Sequence, residues 1–172
     1  LASSPQARKV EGLPPIANIA AGGSFSLALD QEGHVWGWGS NSGGVLRSNT
    51  LQMTAAPVKL IANRRVVSIA AGKEHAAAVT DEGKLYTWGD NTFGQLGTDN
   101  LETPRSIAMV EVGNLQNVAE VAAGPYHTVA LQSNGRVWEW GSSERIYNYK
   151  PQLLATGKTY DAVAASTGAG SG

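Results

Sequence analysis

Residues 69–91 read IAAGKEHAAAVTDEGKLYTWGDN, and the chain writes nearly the same sentence twice more: IAAGGSFSLALDQEGHVWGWGSN over 19–41 and VAAGPYHTVALQSNGRVWEWGSS over 121–143. The anchor glycines set the period, since Gly22 to Gly72 spans 50 positions and Gly72 to Gly124 spans 52. Self-similarity at such a spacing marks an array whose units bury their apolar faces against one another. The period therefore speaks to architecture before it speaks to function.

Each unit resolves into four short runs separated by turn residues, as an all-β array requires. The first ends in small residues: Ala20-Ala21-Gly22, Ala70-Ala71-Gly72, Ala122-Ala123-Gly124. A strand that ends this way is one that neighbouring backbones approach closely, which places it beside a crowded central axis. The second run is apolar (Ser26–Leu29, Ala76–Val79, Thr128–Leu131) and leads into a turn closed by Gly33, Gly83 or Gly135. An acidic or amide residue followed by Gly between two apolar runs is a hairpin signal. The third run carries the aromatics: Val35-Trp36-Gly37-Trp38-Gly39, Leu85-Tyr86-Thr87-Trp88-Gly89, Val137-Trp138-Glu139-Trp140-Gly141. Alternation puts Trp36 and Trp38 on one face and Val35 on the other, so both faces are bulky, as in a sheet sandwiched between two others. The fourth run starts at Pro57, Pro104 and Pro151 in turn, which suits an outer edge strand. Pro5 fits the same pattern, so the chain is expected to open on the tail of an earlier unit.

Four antiparallel strands per period of about 50 describe a β-propeller blade. Kelch arrays carry a Gly-Gly doublet that only Gly22-Gly23 supplies here, and WD repeats are shorter and close on Trp-Asp. The pattern A-A-G-x-x-H, then A-L-x-x-x-G-x-V-x-x-W-G-x-N-x-x-G-Q-L-G, resembles the regulator of chromosome condensation repeat family. The second unit matches best, with Ala70-Ala71-Gly72, His75, Gly83, Trp88-Gly89, Asn91 and Gly94-Gln95-Leu96-Gly97. The first has Phe25 for His and is read with Gly43-Gly44-Val45-Leu46 at the corner. The third keeps His127 and Trp140-Gly141 and departs at Ser142-Ser143-Glu144-Arg145.

The resemblance implies a partial all-β propeller over 1–166, with about three four-stranded blades of the family's usual seven. Repeats are read near 16–60, 66–107 and 118–154, with the start of a fourth at 160–166. Residues 167–172 read as a Gly/Ser tail, linker or disordered end. Three blades cannot close a ring, so the open faces should expose apolar surface. The chain is accordingly expected to be part of something larger, or a half-ring that associates with the remaining blades or with itself. The opening residues LASSPQARKVEG lack an apolar signal-peptide core and an initiator Met, which suggests processing or truncation.

The formal net charge of −1 provides no general field for a nucleic-acid backbone. The absence of Cys excludes disulfides, thiol nucleophiles and Cys-ligated zinc. No apolar run approaches the roughly 18–20 residues of a membrane span. His75 and His127 occupy the place where the first unit has Phe25, so they read as packing residues with a local hydrogen bond, and His34 lies in a turn. No metal site follows from this set. Asp30, Glu32, Asp81 and Glu82 recur because turns favour them. No nucleophile motif, P-loop or dinucleotide fingerprint occurs, so no catalytic residue, no cofactor and no enzyme activity is expected.

Function is instead sought where the units differ, because loops on a rigid scaffold carry binding. Two places stand out. One is Glu144–Lys150, where Arg145, Tyr147, Tyr149 and Lys150 supply the residue types enriched at interfaces. The other joins Arg47, in the segment Asn41–Arg47, with Arg64 and Arg65. The expected function is a non-enzymatic module whose rim loops bind a protein partner. Members of the family use the ring as a recognition platform, among them exchange factors for small GTPases, ubiquitin-ligase adaptors, bacterial secreted proteins and inhibitors of β-lactamase. Two alternatives stay open: nucleotide exchange on a Ran-like GTPase, and a structural segment of a larger secreted or toxin-like bacterial assembly. The lack of Cys and the Ala/Gly-rich repeats lean towards a bacterial exported protein.

Overall fold

Twelve strands in three separate sheets account for the computed structural model, which describes residues 6–98, 103–143, 147–154 and 158–165. Blade 1 comprises β1 (Ile16–Ala21), β2 (Phe25–Asp30), β3 (Val35–Ser40) and β4 (Met53–Ile61). Blade 2 comprises β5 (Val66–Ala71), β6 (His75–Thr80), β7 (Leu85–Asp90) and β8 (Arg105–Glu111). Blade 3 comprises β9 (Val118–Ala123), β10 (His127–Gln132), β11 (Val137–Ser142) and β12 (Tyr147–Leu153). Within each sheet the strands follow chain order and every pair is antiparallel. No helix among the described residues is long and apolar enough to cross a membrane.

The inner strands β1, β5 and β9 pack on one another in sequence, as the Ala-Ala-Gly ends require. Backbone meets backbone at those ends: the Gly23 N–H donates to the Gly72 carbonyl at 3.2 Å. A methyl group added at Gly72 would sit 2.7 Å from the Gly124 carbonyl oxygen and on the His75 ring. The outer strands carry the prolines, but Pro57 and Pro151 fall inside β4 and β12 rather than at their starts. Both lie where the pairing register shifts, opposite 37–39 and 139–141, so their missing N–H costs no regular ladder bond.

The hydrophobic cores lie between sheets, not within them. Leu27, Val35, Val45 and Leu46 of blade 1 enclose Ile69, Ala78 and Trp88 of blade 2. Ala77, Val79 and Leu85 of blade 2, with Val112 and Leu115 of its outgoing connection, enclose Val121, Ala130 and Trp140 of blade 3. One repeated position shows what a preceding blade covers: Ile69 and Val121 are 6% and 4% exposed, whereas Ile19, with no blade packed before it among the described residues, is 73% exposed. Beyond blade 3, Val163 and Ala165 pack on Val129, Leu131 and Val137. Tyr160 donates its N–H to the Gly135 carbonyl, repeating the bonds Val66 makes to Gly33 and Val118 makes to Gly83. Residues 158–165 thus follow the path of an incoming inner strand. Pro5, Arg145 and the tail 167–172 lie outside the described residues.

Candidate protein-interaction surface

The antiparallel topology sorts all loops to two ends of the stack. One end holds the β1–β2, β5–β6 and β9–β10 turns with the long β3–β4 and β7–β8 corners; the other holds the tight hairpins and the blade-to-blade connections. The corners are built alike. Asn41 is buried, accepts from the Leu46 N–H at 2.7 Å and donates to the Ser48 and Leu51 carbonyls at 2.9 and 2.6 Å. Asn91 likewise accepts from the Leu96 N–H at 3.1 Å and donates to Thr103. This side chain replaces the ladder partners the backbone gives up on leaving the sheet. Each corner then presents one carbonyl to the following blade's tryptophan: Trp88 Nε1 donates to Val45 at 2.8 Å, and Trp140 Nε1 to Gln95 at 2.9 Å.

These equivalences correct the sequence register of the first corner. Gly44-Val45-Leu46-Arg47, one residue later than the stretch matched by residue type, is equivalent to Gly94-Gln95-Leu96-Gly97, as the Asn41-x-x-Gly44 spacing also requires. Gly44 and Gly94 donate to Asn41 and Asn91, and Arg47 and Gly97 donate to Gly44 and Gly94. The extra glycine, Gly43, had drawn the motif one place forward.

A polar relay crosses the second junction only. Thr128 Oγ1 donates to the Gln95 carbonyl at 2.8 Å, so the His75 Nε2 that lies 3.0 Å from it must be the N–H donor. Fully buried His75 Nδ1 has no hydrogen-bond partner, and desolvation, reinforced by His127 and opposed by Asp90, lowers the His75 pKa to about 4. His127 is pushed down by burial as well. The histidines are structural. Asp30 is structural too: burial alone would raise its pKa, but bonds from the Trp36 indole and from the His34 backbone and ring outweigh that and hold it at about 2. Among the described residues no three His, Asp or Glu side chains converge on a metal-sized site.

What distinguishes the second junction on its exposed side is aromatic. Phe93 meets Tyr126 in a tilted pair, with ring centres 4.8 Å apart and planes at 57°, and the Lys73 ammonium lies 5.0 Å from the centre of the Tyr126 ring. The next residue, Gly94, lies under Tyr149, which meets Tyr147 edge-on at 5.2 Å. Tyr147 is 58% exposed. Tyr126, Phe93, Tyr149 and Tyr147 thus form one stripe over the blade 2 corner. At the first junction Glu74 lies over Gly43 and Ile107 over Gly44, and the Ser42 hydroxyl donates to Glu74 at 2.8 Å.

Of the residues singled out from sequence, Tyr147, Tyr149 and Lys150 fall together on this stripe's strand. Arg47 sits at the other corner, and its guanidinium donates to the Leu60 carbonyl at 2.7 Å. Arg64 and Arg65 lie at the opposite end of β4. The Arg64 guanidinium covers the Tyr86 ring at 4.6 Å, and the stem of Arg65 packs against Gly33. Sequence reasoning missed Lys73, Phe93 and Tyr126. Their signal was available, since Lys73, Phe93 and Tyr126 stand where other units have Gly23, Gly43 and Glu74.

The repeats, their Trp-to-corner latches and the between-sheet cores define a blade array of one known class. The chain matches "Regulator of chromosome condensation (RCC1) repeat" over residues 16–44, 66–95 and 118–145 in one form and 32–79 and 82–131 in another, and it belongs to that family. It is 35% identical over 150 residues to the human probable E3 ubiquitin-protein ligase HERC3, covering 84% of this chain and 14% of that protein. It is 34% identical over 139 residues to the Arabidopsis thaliana mitochondrial RCC1 domain-containing protein RUG3, covering 79% of this chain and 31% of that one. The chain therefore spans a minor part of each curated relative. Human WBSCR16 has the same fold, with TM-score 0.77 and 21% identity over 88% of this chain and 41% of that one. So has yeast RCC1 (Prp20) in its complex with Kap60, with TM-score 0.70 and 23% identity over 84% and 38%.

Proposed function

We propose that this chain is a non-catalytic protein-interaction module, and that the corner between blades 2 and 3 is its recognition surface. The observation that carries this reading is the Tyr126–Phe93–Tyr149–Tyr147 stripe, placed at positions that the neighbouring junction fills with Glu74, Gly43 and Ile107. Aromatic rings that are partly exposed, held by a rigid corner and flanked by Lys73 and Lys150 are the side chains that anchor protein interfaces. The latch of Trp140 and Thr128 on the Gln95 carbonyl preorganises that corner, which lowers the ordering cost of binding. Partner binding is also named for the yeast protein of this fold, solved with Kap60.

The test is affinity capture with wild type beside a Phe93→Ser/Tyr126→Ser/Tyr149→Ser variant, at a temperature where denaturation curves show both fully folded. A discrete protein retained by wild type and lost from the variant is expected; capture indifferent to the variant overturns the surface. A parallel nucleotide-release assay on a Ran-like GTPase separates the exchange reading, which requires acceleration above the intrinsic rate.

A further inference from the structure

We propose that the groove between the blade 1 corner and β4 is a second binding site, specific for a carboxylate borne next to an aliphatic side chain, with Arg47 as the anion-binding residue. The groove has a volume of about 410 Å³, within the size of ligand clefts, and lies on the outer side of blade 1, away from the inner strands. Leu46, Leu51, Val58 and Leu60 form its walls, and Ser48 and Thr50 line one part of it.

Arg47 keeps the backbone bond of its repeat counterpart but departs from it in residue type, side-chain burial and charge. It holds φ at +55°, in the left-handed region, at the position where the second corner uses Gly97 at φ +69°. A side chain in that conformation is disfavoured and persists where something else is gained. Its guanidinium is half withdrawn from water, which penalises the charge and lowers its pKa, yet among the described residues no carboxylate pairs with it. One amino group donates to the Leu60 carbonyl, and Nε is buried and makes no hydrogen bond. The guanidinium is thereby anchored through one amino group with Nε out of a ligand's reach, and the second amino group, which makes no hydrogen bond within the chain and is not buried, is the donor left for a carboxylate. The Ser48 and Thr50 hydroxyls lie 3.4 Å apart; one donates to the other, leaving a second hydroxyl hydrogen for a ligand oxygen. The leucine and valine walls select an aliphatic neighbour. The site is independent of the aromatic stripe, which sits on the next corner.

The test is a nitrogen-15 NMR titration of the 172-residue chain, read at the Arg47 Nε–H and at the corner amides. The probes are acetyl-Ser-Leu-Glu-Leu-Ser-amide, its Gln counterpart, and acetyl-Ser-Leu-Leu with a free terminal carboxylate. Saturable shifts with a carboxylate probe, at least about tenfold weaker with the Gln peptide, are expected, because a charged acceptor makes the stronger bond to guanidinium. Which carboxylate probe binds tells a side chain from a chain terminus. Arg47→Gly restores the repeat residue and should abolish binding while keeping or raising the melting temperature; Arg47→Asn, which tolerates the backbone conformation, should do the same. A response to the Gln peptide within about tenfold of the better carboxylate probe, no response to any probe at millimolar concentration, or a fall in melting temperature for Arg47→Gly would each overturn the site.

Discussion

The two blade junctions share a frame and differ in what they hang on it. In both, a buried Asn pins the corner and a buried tryptophan donates to its carbonyl. At the first junction the layer beneath is apolar, Phe25 and Ala76, and the surface above is small and acidic. At the second, the layer beneath is His75 and Thr128, and the surface above is aromatic. The shared parts are what the fold needs. The differing parts are where chemistry has been added, and both proposed sites, the stripe and Arg47, are departures of this kind.

Breaking the shared frame should produce the largest effects. Trp88→Ala and Trp140→Ala each remove a fully buried ring and its hydrogen bond, and each should cost about 3–5 kcal/mol by urea unfolding. Similar losses at both junctions would bear out a common latch.

The buried histidine makes the junctions respond differently to pH. Folding holds the His75 pKa at about 4, below its ordinary 6.5, so the unfolded chain binds more protons between those values. The stabilisation is therefore complete above pH 6.5 and is lost as pH falls towards 4, by about 3 kcal/mol at the end of that range. His75→Phe installs the residue of the first unit and should remove most of this acid dependence in denaturation curves at pH 7 and 4.5.

A smaller effect isolates the relay. Thr128→Ala leaves the His75 N–H without its acceptor and should cost about 1–3 kcal/mol. In the His75→Phe background the same change should cost markedly less, because the double variant copies the Phe25–Ala76 pairing; a thermodynamic cycle measures the coupling. The smallest stability effect belongs to the stripe. Phe93→Ser should cost about 1 kcal/mol, the loss of one exposed aromatic pair, while having the largest effect on partner binding.

The propeller was legible because each blade repeats its own signals: Ala-Ala-Gly, hairpin Gly and Trp-Gly recur whatever lies between them. The proposed recognition surface was half legible. Tyr147 and Tyr149 sit in one anomalous segment and stood out together. Lys73, Phe93 and Tyr126 each depart from the other units at a single position, and that they meet shows only once blades 2 and 3 stack. Arg47 and Arg64–Arg65 flank β4 in sequence, and what each side chain meets depends on tertiary packing: Arg47 turns its guanidinium to Leu60 of β4, while Arg64 covers the Tyr86 ring of blade 2. Arg47 stood out as a basic residue, but its equivalence to Gly97 was hidden by Gly43, which shifted the corner motif by one.

The most direct test of the account is site-specific photo-crosslinking from position 126, on the aromatic corner, beside position 64, at the other end of the stack. The account predicts a discrete protein adduct from 126 and none from 64. Adducts from 64 alone, or none from 126 under conditions in which the chain captures its partner, would contradict the assignment of recognition to the corner between blades 2 and 3.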